Sequence, residues 1–291
     1  MMTRPQLGRF LITAGIWGCT WIVIRDQIAQ VPGPWSVAWR FVLAAVALGA
    51  YVRLTGQPYK LGKRGQMLAA GLGVAQFTLN FNLVYEAETR VASGLVAVVF
   101  ALMFVPNALL AWAFLGHRPT ARFLAGSAVG VVGVGLMFHD QLALSRSGAI
   151  GLGLAIAGML CASTANVAQA GPLGRRLPFL ALLAAALGYG ALFDCLAAWI
   201  TTGPPVFAFT PSYIAGLAFM GLAATVLAFL FYYPLIREIG AGRAAYVNMI
   251  TPVIAMALTS WFEGFVWTAW SVGGALVTGA GVTFALTARR T

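Results

Sequence analysis

Charged side chains are scarce in this sequence. Asp, Glu, Lys and Arg make up 9% of the 291 residues, whereas hydrophobic residues make up 60%. A soluble domain carries about 25% charged residues, which cover its water-facing surface. So low a share excludes a soluble globular protein and favours one whose outer surface faces lipid. The net charge of +11 does not indicate nucleic-acid binding, because the basic residues lie between apolar runs.

Residues that catalyse reactions or bind metals are also few. The three cysteines lie inside apolar runs without a CxxC pair, and the two histidines, His117 and His139, fall at the ends of such runs. We therefore predict no catalytic residue, no metal site and no cofactor. The signatures HExxH, GxSxG and GxxxxGK[ST] do not occur, which disfavours a metalloprotease, a serine hydrolase and an ATP-driven pump.

Continuous apolar runs of roughly 20 residues fill the chain, and this is the length at which an α-helix crosses a bilayer. Helices satisfy their own backbone hydrogen bonds where no water is present. The sequence predicts an all-α integral membrane protein with ten transmembrane helices. The predicted spans are 7–25, 34–53, 65–86, 91–115, 120–139, 148–170, 178–201, 211–236, 243–262 and 267–287.

The loops between these spans differ in charge. Most of the 18 lysines and arginines fall in the loops on the side of the N-terminus, and most acids fall on the other side. Because basic loops stay in the cytoplasm, we predict cytoplasmic N- and C-termini and an even number of spans. This is the pattern of a multi-pass protein of the inner (plasma) membrane.

The second half of the chain repeats features of the first. A shift of 146 residues places Pro106 on Pro252, Gly133 on Gly279 and Gly135 on Gly281. We predict a five-helix repeat over residues 1–143 and a second repeat over 144–291. Because five is odd, the second repeat is inverted in the membrane. Inverted repeats are typical of transporters whose substrate site lies at the midplane between the repeats.

Polar side chains inside apolar spans tend to face a cavity or a partner. Asparagine and glutamine suit neutral or zwitterionic solutes, because they are uncharged and both donate and accept hydrogen bonds. The aromatic rings could stack on a substrate. The alternative is that the amides link helices and that the rings pack or face lipid. The predicted substrate-binding residues are Trp17, Trp21, Gln76, Asn80, Asn107, Ser163, Asn166, Tyr246 and Asn248.

Four further residues inside the spans have distinctive chemistry. Pro106 and Pro252 are expected to kink their helices and free a backbone carbonyl. Arg40 and Asp194 are the only charges well inside spans. Each is predicted to be neutralised by a partner, such as the other, with a snorkelling arginine and a hydrated aspartate as the alternative. A change in the protonation of Asp194 would couple transport to protons.

Several of these features together resemble the drug/metabolite transporter (DMT) superfamily and, within it, the ten-span EamA-type exporters. They are the repeat of five plus five, Trp17-Gly18 in the first span, the mid-span prolines and the Gly-rich closing spans. Leu115-Gly116-His117 stands where that family typically has Leu-Gly-Glu, and Glu263 precedes a glycine in the second half. Within this group the chain resembles the YddG-type exporters of aromatic and other neutral amino acids. The resemblance implies export from the cytoplasm through a central cavity without ATP hydrolysis.

We therefore predict a secondary transporter that exports small metabolites, first of all aromatic and other neutral amino acids, by alternating access. A multidrug or amphiphile exporter of the same superfamily is the main alternative, and an intramembrane enzyme is a remote one. The expected partners are a small-molecule substrate and the lipid bilayer, with no nucleic acid, and we expect a monomer. The residues leave open the exact substrate and the driving force.

Overall fold

The computed structural model describes residues 3–140, 146–240, 244 and 247–286. These residues form helices and connecting turns, without a β-strand in the described ranges. Within the described part of the chain, seven helices are long and apolar enough to cross a membrane, and three shorter apolar helices accompany them. Each predicted span overlaps one of these helices. The all-helical membrane fold is confirmed, whereas the count of ten crossings stays a prediction.

The helices begin and end within a few residues of the predicted boundaries. Local signals account for three of the starts, because Thr3, Thr120 and Thr210 each accept a hydrogen bond from the backbone of the first turn. The helices in chain order are α1 Arg4–Gln30, α2 Gly33–Leu54, α3 Gly62–Glu88, α4 Ser93–Leu115, α5 Ala121–Met137, α6 Arg146–Ala170, α7 Phe179–Thr202, α8 Pro211–Ile239, α9 Val247–Phe262 and α10 Ala269–Leu286.

The helix contacts of the first half have counterparts in the second. α2 packs against α7 and α5 against α10, while α1 packs against α8 and α9, and α6 packs against α3 and α4. If α1 is exchanged with α6, α2 with α7, and so on through α5 with α10, the same set of helix contacts results. It is the arrangement expected of two related five-helix units, whose division at residues 143 and 144 stays a prediction.

Both α3 and α8 contain a π-helical segment, which the sequence analysis did not predict. The segments are Gly73–Leu79 and Phe219–Leu227, and they begin 146 residues apart. A π segment changes the hydrogen-bonding pattern of the backbone and is frequent at functional sites. In α8 the Ala224 carbonyl accepts a hydrogen bond from the indole nitrogen of Trp17 at 3.0 Å. The second π segment is therefore tied directly to α1.

The two prolines act differently. α4 consists of two arms, Ser93–Ala101 and Phe104–Leu115, and the break lies just before Pro106. Proline produces this effect because its ring clashes with the carbonyl four residues earlier. α9 continues through Pro252 without interruption, so a kink there stays a prediction.

α5 and α10 pack closely, because glycines allow their backbones to come into contact. A Cβ atom on Gly126 would lie 2.6 Å from the Gly281 carbonyl oxygen, and one on Gly133 would lie 2.8 Å from that of Gly274. A shift of 148 residues places Gly126 on Gly274 and Gly133 on Gly281, so it converts the first contact into the second. This shift is two residues longer than the shift of 146 that relates the prolines. The predicted match of Gly133 with Gly279 is therefore out of register with the packing.

Polar contacts hold the helices together at both ends of the bundle. At one end Arg9 of α1 pairs with Glu238 of α8 at 2.8 Å. At the other end Arg25 donates to the backbone carbonyl of Glu88, and the Ser93 hydroxyl donates to Glu263. The predicted orientation places the first end in the cytoplasm and the second outside. The space between them contains an internal cavity.

Candidate substrate-binding cavity

A cavity lies in the middle of the bundle, where helices of both halves meet. The space in it that water-sized molecules can occupy is about 70 Å³. Like the ligand sites of small molecules, it combines apolar walls with a few polar groups. The lining residues are Trp17, Thr20, Trp21, Ile24, Arg40, Gln76, Asn80, Phe81, Val84, Phe100, Met103, Ala162, Asn166, Phe229, Tyr232, Asn248 and Thr251.

Most of the predicted substrate-binding residues are brought together here. Asn107 and Ser163 are fully buried and are not among the residues that line the cavity. Tyr246 lies outside the described residues. The predicted residues that line the cavity are Trp17, Trp21, Gln76, Asn80, Asn166 and Asn248. Their role in binding stays a prediction.

Two amides from different halves meet at one sulfur atom. Nδ2 of Asn166 on α6 lies 3.3 Å from Sδ of Met103, and Nδ2 of Asn248 on α9 lies 3.4 Å from the same atom. Met103 stands at the break between the two arms of α4. A thioether is a weak acceptor. The amides are therefore oriented toward the cavity without being tightly bound.

Two side-chain amides of α3 line the cavity, and each has an oxygen atom without a hydrogen-bond partner among the described residues. Nδ2 of Asn80 donates to the backbone carbonyl of Gln76 at 3.2 Å. Oε1 of Gln76 and Oδ1 of Asn80 are buried without a hydrogen-bond partner among the described residues. Such acceptors are costly to leave unsatisfied in an apolar interior. They are available to a donor group of a bound molecule.

Aromatic rings form much of the wall. The ring of Trp17 contacts those of Tyr232 and Phe229, with centroids 4.8 and 5.5 Å apart, and Trp21 contacts Phe100 at 5.5 Å. These edge-to-face pairs hold the rings in place. The wall offers flat apolar surfaces on which a ring or an aliphatic group of a solute can pack.

Arg40 also lines the cavity, a position that the sequence analysis did not assign to it. Its side chain is 1% exposed. Nε donates to the Thr225 hydroxyl at 2.9 Å, and the guanidinium carbon lies 4.2 Å from the centroid of the Phe81 ring. Thr225 belongs to the π segment of α8. The arginine of α2 is thus positioned by α3 and α8.

The expected ion pair between Arg40 and Asp194 is not formed, although both residues lie in the described part of the chain. Asp194 instead accepts a hydrogen bond from Nδ2 of Asn82 at 2.8 Å. Its carboxylate acts on Arg40 only at longer range. The reason is geometric, because Thr225 and the Phe81 ring already hold the guanidinium on the cavity side of α2.

Sequence reasoning missed Met103 and Thr225 as well as the cavity position of Arg40. A charge inside a span was a usable signal for Arg40, since such charges are rare and functional. No signal identified Met103, because an apolar residue in an apolar helix is unremarkable until the helix break is known. The position of Thr225 beside Arg40 could not be predicted, because it depends on the π segment of α8.

Comparisons with known proteins agree with this architecture. The chain matches the EamA-like transporter family, which belongs to the DMT superfamily, over residues 8–139 and 149–287. One crystal structure matches this chain with a TM-score of 0.74 and 18% sequence identity, and the match covers 100% of both chains. At that identity the likeness concerns the fold alone.

Two relatives cover most of the chain. Protein PagO of Salmonella typhimurium is 24% identical over 259 residues, covering 88% of this chain and 84% of PagO. The uncharacterized inner membrane transporter YedA of Escherichia coli K12 is 26% identical over 265 residues, covering 89% of this chain and 83% of YedA. With the family matched in both halves, this chain belongs to the EamA-like transporter family and is a membrane transporter of the DMT type.

Proposed function

We propose that this transporter exports small metabolites from the cytoplasm, first of all aromatic and other neutral amino acids, by alternating access. The observation that carries the proposal is the central cavity, which combines an aromatic wall with four amide side chains. Neutral amides donate to a carboxylate and accept from an ammonium group. An aromatic amino acid presents both of these groups and a ring for the wall.

Three irregular helices surround the cavity and support the alternating-access part of the proposal. α4 is broken at Met103, and α3 and α8 carry π segments at equivalent positions. Irregular backbone at membrane depth is tolerated where it lines a cavity. In inverted-repeat carriers such helices surround the substrate site, and one repeat moves against the other.

We further propose that the protein resides in the inner membrane with both termini in the cytoplasm, and that it acts as a monomer. The relative YedA is named an inner membrane transporter, which supports the location. The charge of the loops supports the orientation of the termini. A single chain supplies both halves of the cavity, so a partner chain is not needed to complete it.

A second candidate function is the export of amphiphiles, which one observation favours. A separate hollow of about 420 Å³ lies between α4, α9 and α10 and is lined almost entirely by apolar side chains, among them Val98, Val253 and Met256. Val253 is 70% exposed, so the hollow opens on the lipid-facing surface. An amphiphilic molecule could enter it from the bilayer.

Transport by purified protein in proteoliposomes distinguishes the two functions. Liposomes loaded with labelled phenylalanine, leucine or a lipophilic dye are followed for efflux, with protein-free liposomes as the control. We expect amino acids to leave faster than in the control and to compete with one another. Movement of the dye alone, without competition by any amino acid, would replace the first proposal by the second.

A further inference from the structure

We propose that Arg40 binds a carboxylate group of the cargo, so that the cavity accepts carboxylate-bearing molecules with a flat apolar body and excludes organic cations. The inference rests on the proposed transport function and specifies the substrate chemistry of the same cavity. It assigns a role to a residue that was expected only to pair with another charge.

Arg40 combines nearly complete burial with an unused donor. The side chain is 1% exposed and forms part of the cavity wall. Nη1 has no hydrogen-bond partner within the described residues. A buried charged donor without a partner is strongly unfavourable. A ligand that brings an anionic acceptor to Nη1 removes this penalty when it binds.

The groups that hold the guanidinium are all neutral. Nε donates to Thr225 at 2.9 Å, the Phe81 ring lies against one face at 4.2 Å, and the Tyr85 hydroxyl lies beside the guanidinium. These contacts fix the position and plane of the group without neutralising its charge. A planar guanidinium held in this way is suited to a carboxylate, which it can bind through two parallel hydrogen bonds.

The nearest acid does not take the place of such a ligand. Asp194 does not line the cavity, and its carboxylate is held by Asn82 at 2.8 Å. The described residues of the cavity wall include no acid. The wall therefore carries one positive charge and no opposite charge of its own. An organic cation would meet like charge there, which is an effective basis for rejecting a wrong ligand.

The remainder of the cavity fits the other parts of such a cargo. The rings of Trp17 and Trp21 offer surface to an aromatic or aliphatic group. The free oxygens of Gln76 and Asn80 can accept hydrogen bonds from an amino group. The cavity can therefore accept an amino group of the cargo, whereas binding requires its carboxylate group.

Three probes that share one phenyl ring separate these requirements. Phenylalanine has both charges, 3-phenylpropionate has only the carboxylate, and phenethylamine has only the ammonium group. Equilibrium binding is measured by calorimetry on the full chain in nanodiscs. We expect the first two to bind and phenethylamine to bind at least about tenfold more weakly, as a hydrogen-bonded charge requires.

Substitution of the arginine tests its part in this preference. Arg40→Gln should reduce the affinity for 3-phenylpropionate at least about tenfold, and Arg40→Lys should give an intermediate loss because charge remains but the planar fork does not. Arg64→Gln, at an exposed site outside the cavity, is the matched control and should bind as wild type. Should Arg40→Gln not fold, Thr225→Val still tests the site, because it releases Nε and should weaken carboxylate binding.

The outcomes for recognition and for transport can be told apart. Equal affinity for all three probes, preference for phenethylamine, or no binding by any probe overturns the assignment of Arg40. Carboxylate binding that depends on Arg40 without flux in proteoliposomes would overturn the proposed transport of these cargoes and leave the recognition standing. Equal flux of all three probes would support transport and refute carboxylate selection.

Discussion

Gly133 of α5 and Gly274 of α10 approach one another so closely that neither position has room for a side chain. A Cβ atom on Gly133 would lie 2.8 Å from the Gly274 carbonyl oxygen, and one on Gly274 would lie 2.6 Å from that of Gly133. Backbone contact of this kind drives helix association in lipid, where the hydrophobic effect between helices is absent. The two closing helices therefore depend on these glycines for their packing.

Gly133→Ala should destabilise the protein by about 1–3 kcal/mol, the usual cost of overpacking a close contact. The new methyl group would meet backbone atoms, which cannot rotate away. Gly135→Ala is the matched control, because nothing lies within 4 Å of a Cβ atom at Gly135. Thermal unfolding in detergent, followed by intrinsic fluorescence, measures the difference. Equal melting temperatures for the two variants would show that the helices separate without cost.

The same comparison in the second half tests the register of the repeat. Gly281→Ala should destabilise by a similar amount, because its Cβ atom would lie 2.7 Å from the Gly126 carbonyl oxygen. Gly279→Ala should be tolerated, since its Cβ position is open. A larger effect at Gly279 than at Gly281 would show that a shift of 146 residues, not 148, relates these two helices.

The sequence predicted the helices well and the face that each turns inward less well. Length and apolarity define a membrane helix without reference to its neighbours. Which face lines a cavity depends on packing, and in spans that are apolar all round only the polar residues give a signal. Among the polar residues predicted from this signal, Gln76 and Asn166 line the cavity, whereas Asn107 and Ser163 are fully buried and do not line it.

Local breaks in helix geometry were the second source of error. The π segment of α8 contains Thr225, which accepts a hydrogen bond from Arg40, and no residue type in either π segment is diagnostic. The break in α4 was anticipated from Pro106, but its use of Met103 as a shared acceptor was not. Each of these features depends on contacts among several helices, and the sequence of a single span does not show those contacts.

Met103→Leu should impair transport with little loss of stability. Leucine conserves the volume, and such substitutions cost less than about 1.5 kcal/mol. It removes the sulfur atom that accepts from Asn166 and Asn248, so both amides lose their orientation. We expect slower efflux of phenylalanine from proteoliposomes and an almost unchanged melting temperature. Wild-type efflux in this variant would show that the shared acceptor has no part in transport.

The asparagines predicted from the sequence should divide into two groups. Asn166→Ala and Asn248→Ala should reduce efflux while the protein remains folded, because both side chains line the cavity. Asn107→Ala should instead lower the melting temperature, since the side chain is fully buried in helix packing. Efflux is compared at equal amounts of monodisperse protein in the liposomes. A transport defect in Asn107→Ala without any loss of stability would contradict this division.

Asp194 should compete with the cargo for the charge of Arg40. Its carboxylate acts on the guanidinium without contacting it, so an ionised Asp194 stabilises the empty cavity and opposes a second carboxylate. Asp194→Asn keeps an acceptor for Asn82 and removes the negative charge. We expect this variant to fold as wild type and, at a pH at which Asp194 of the wild type is ionised, to bind 3-phenylpropionate about fivefold more tightly, at the lower end of typical coupling between two sites.

The same variant tests proton coupling. A cargo carboxylate beside Arg40 and a negative charge on Asp194 oppose one another, so cargo binding favours uptake of a proton by Asp194, and wild-type transport should depend on pH. Asp194→Asn should abolish that dependence, while Asp26→Asn, at an exposed site at the end of α1, should retain it. Efflux is measured with equal pH on both sides, stepped across the neutral range. Wild-type transport that does not change with pH, together with unaltered transport by Asp194→Asn, would remove Asp194 from the mechanism.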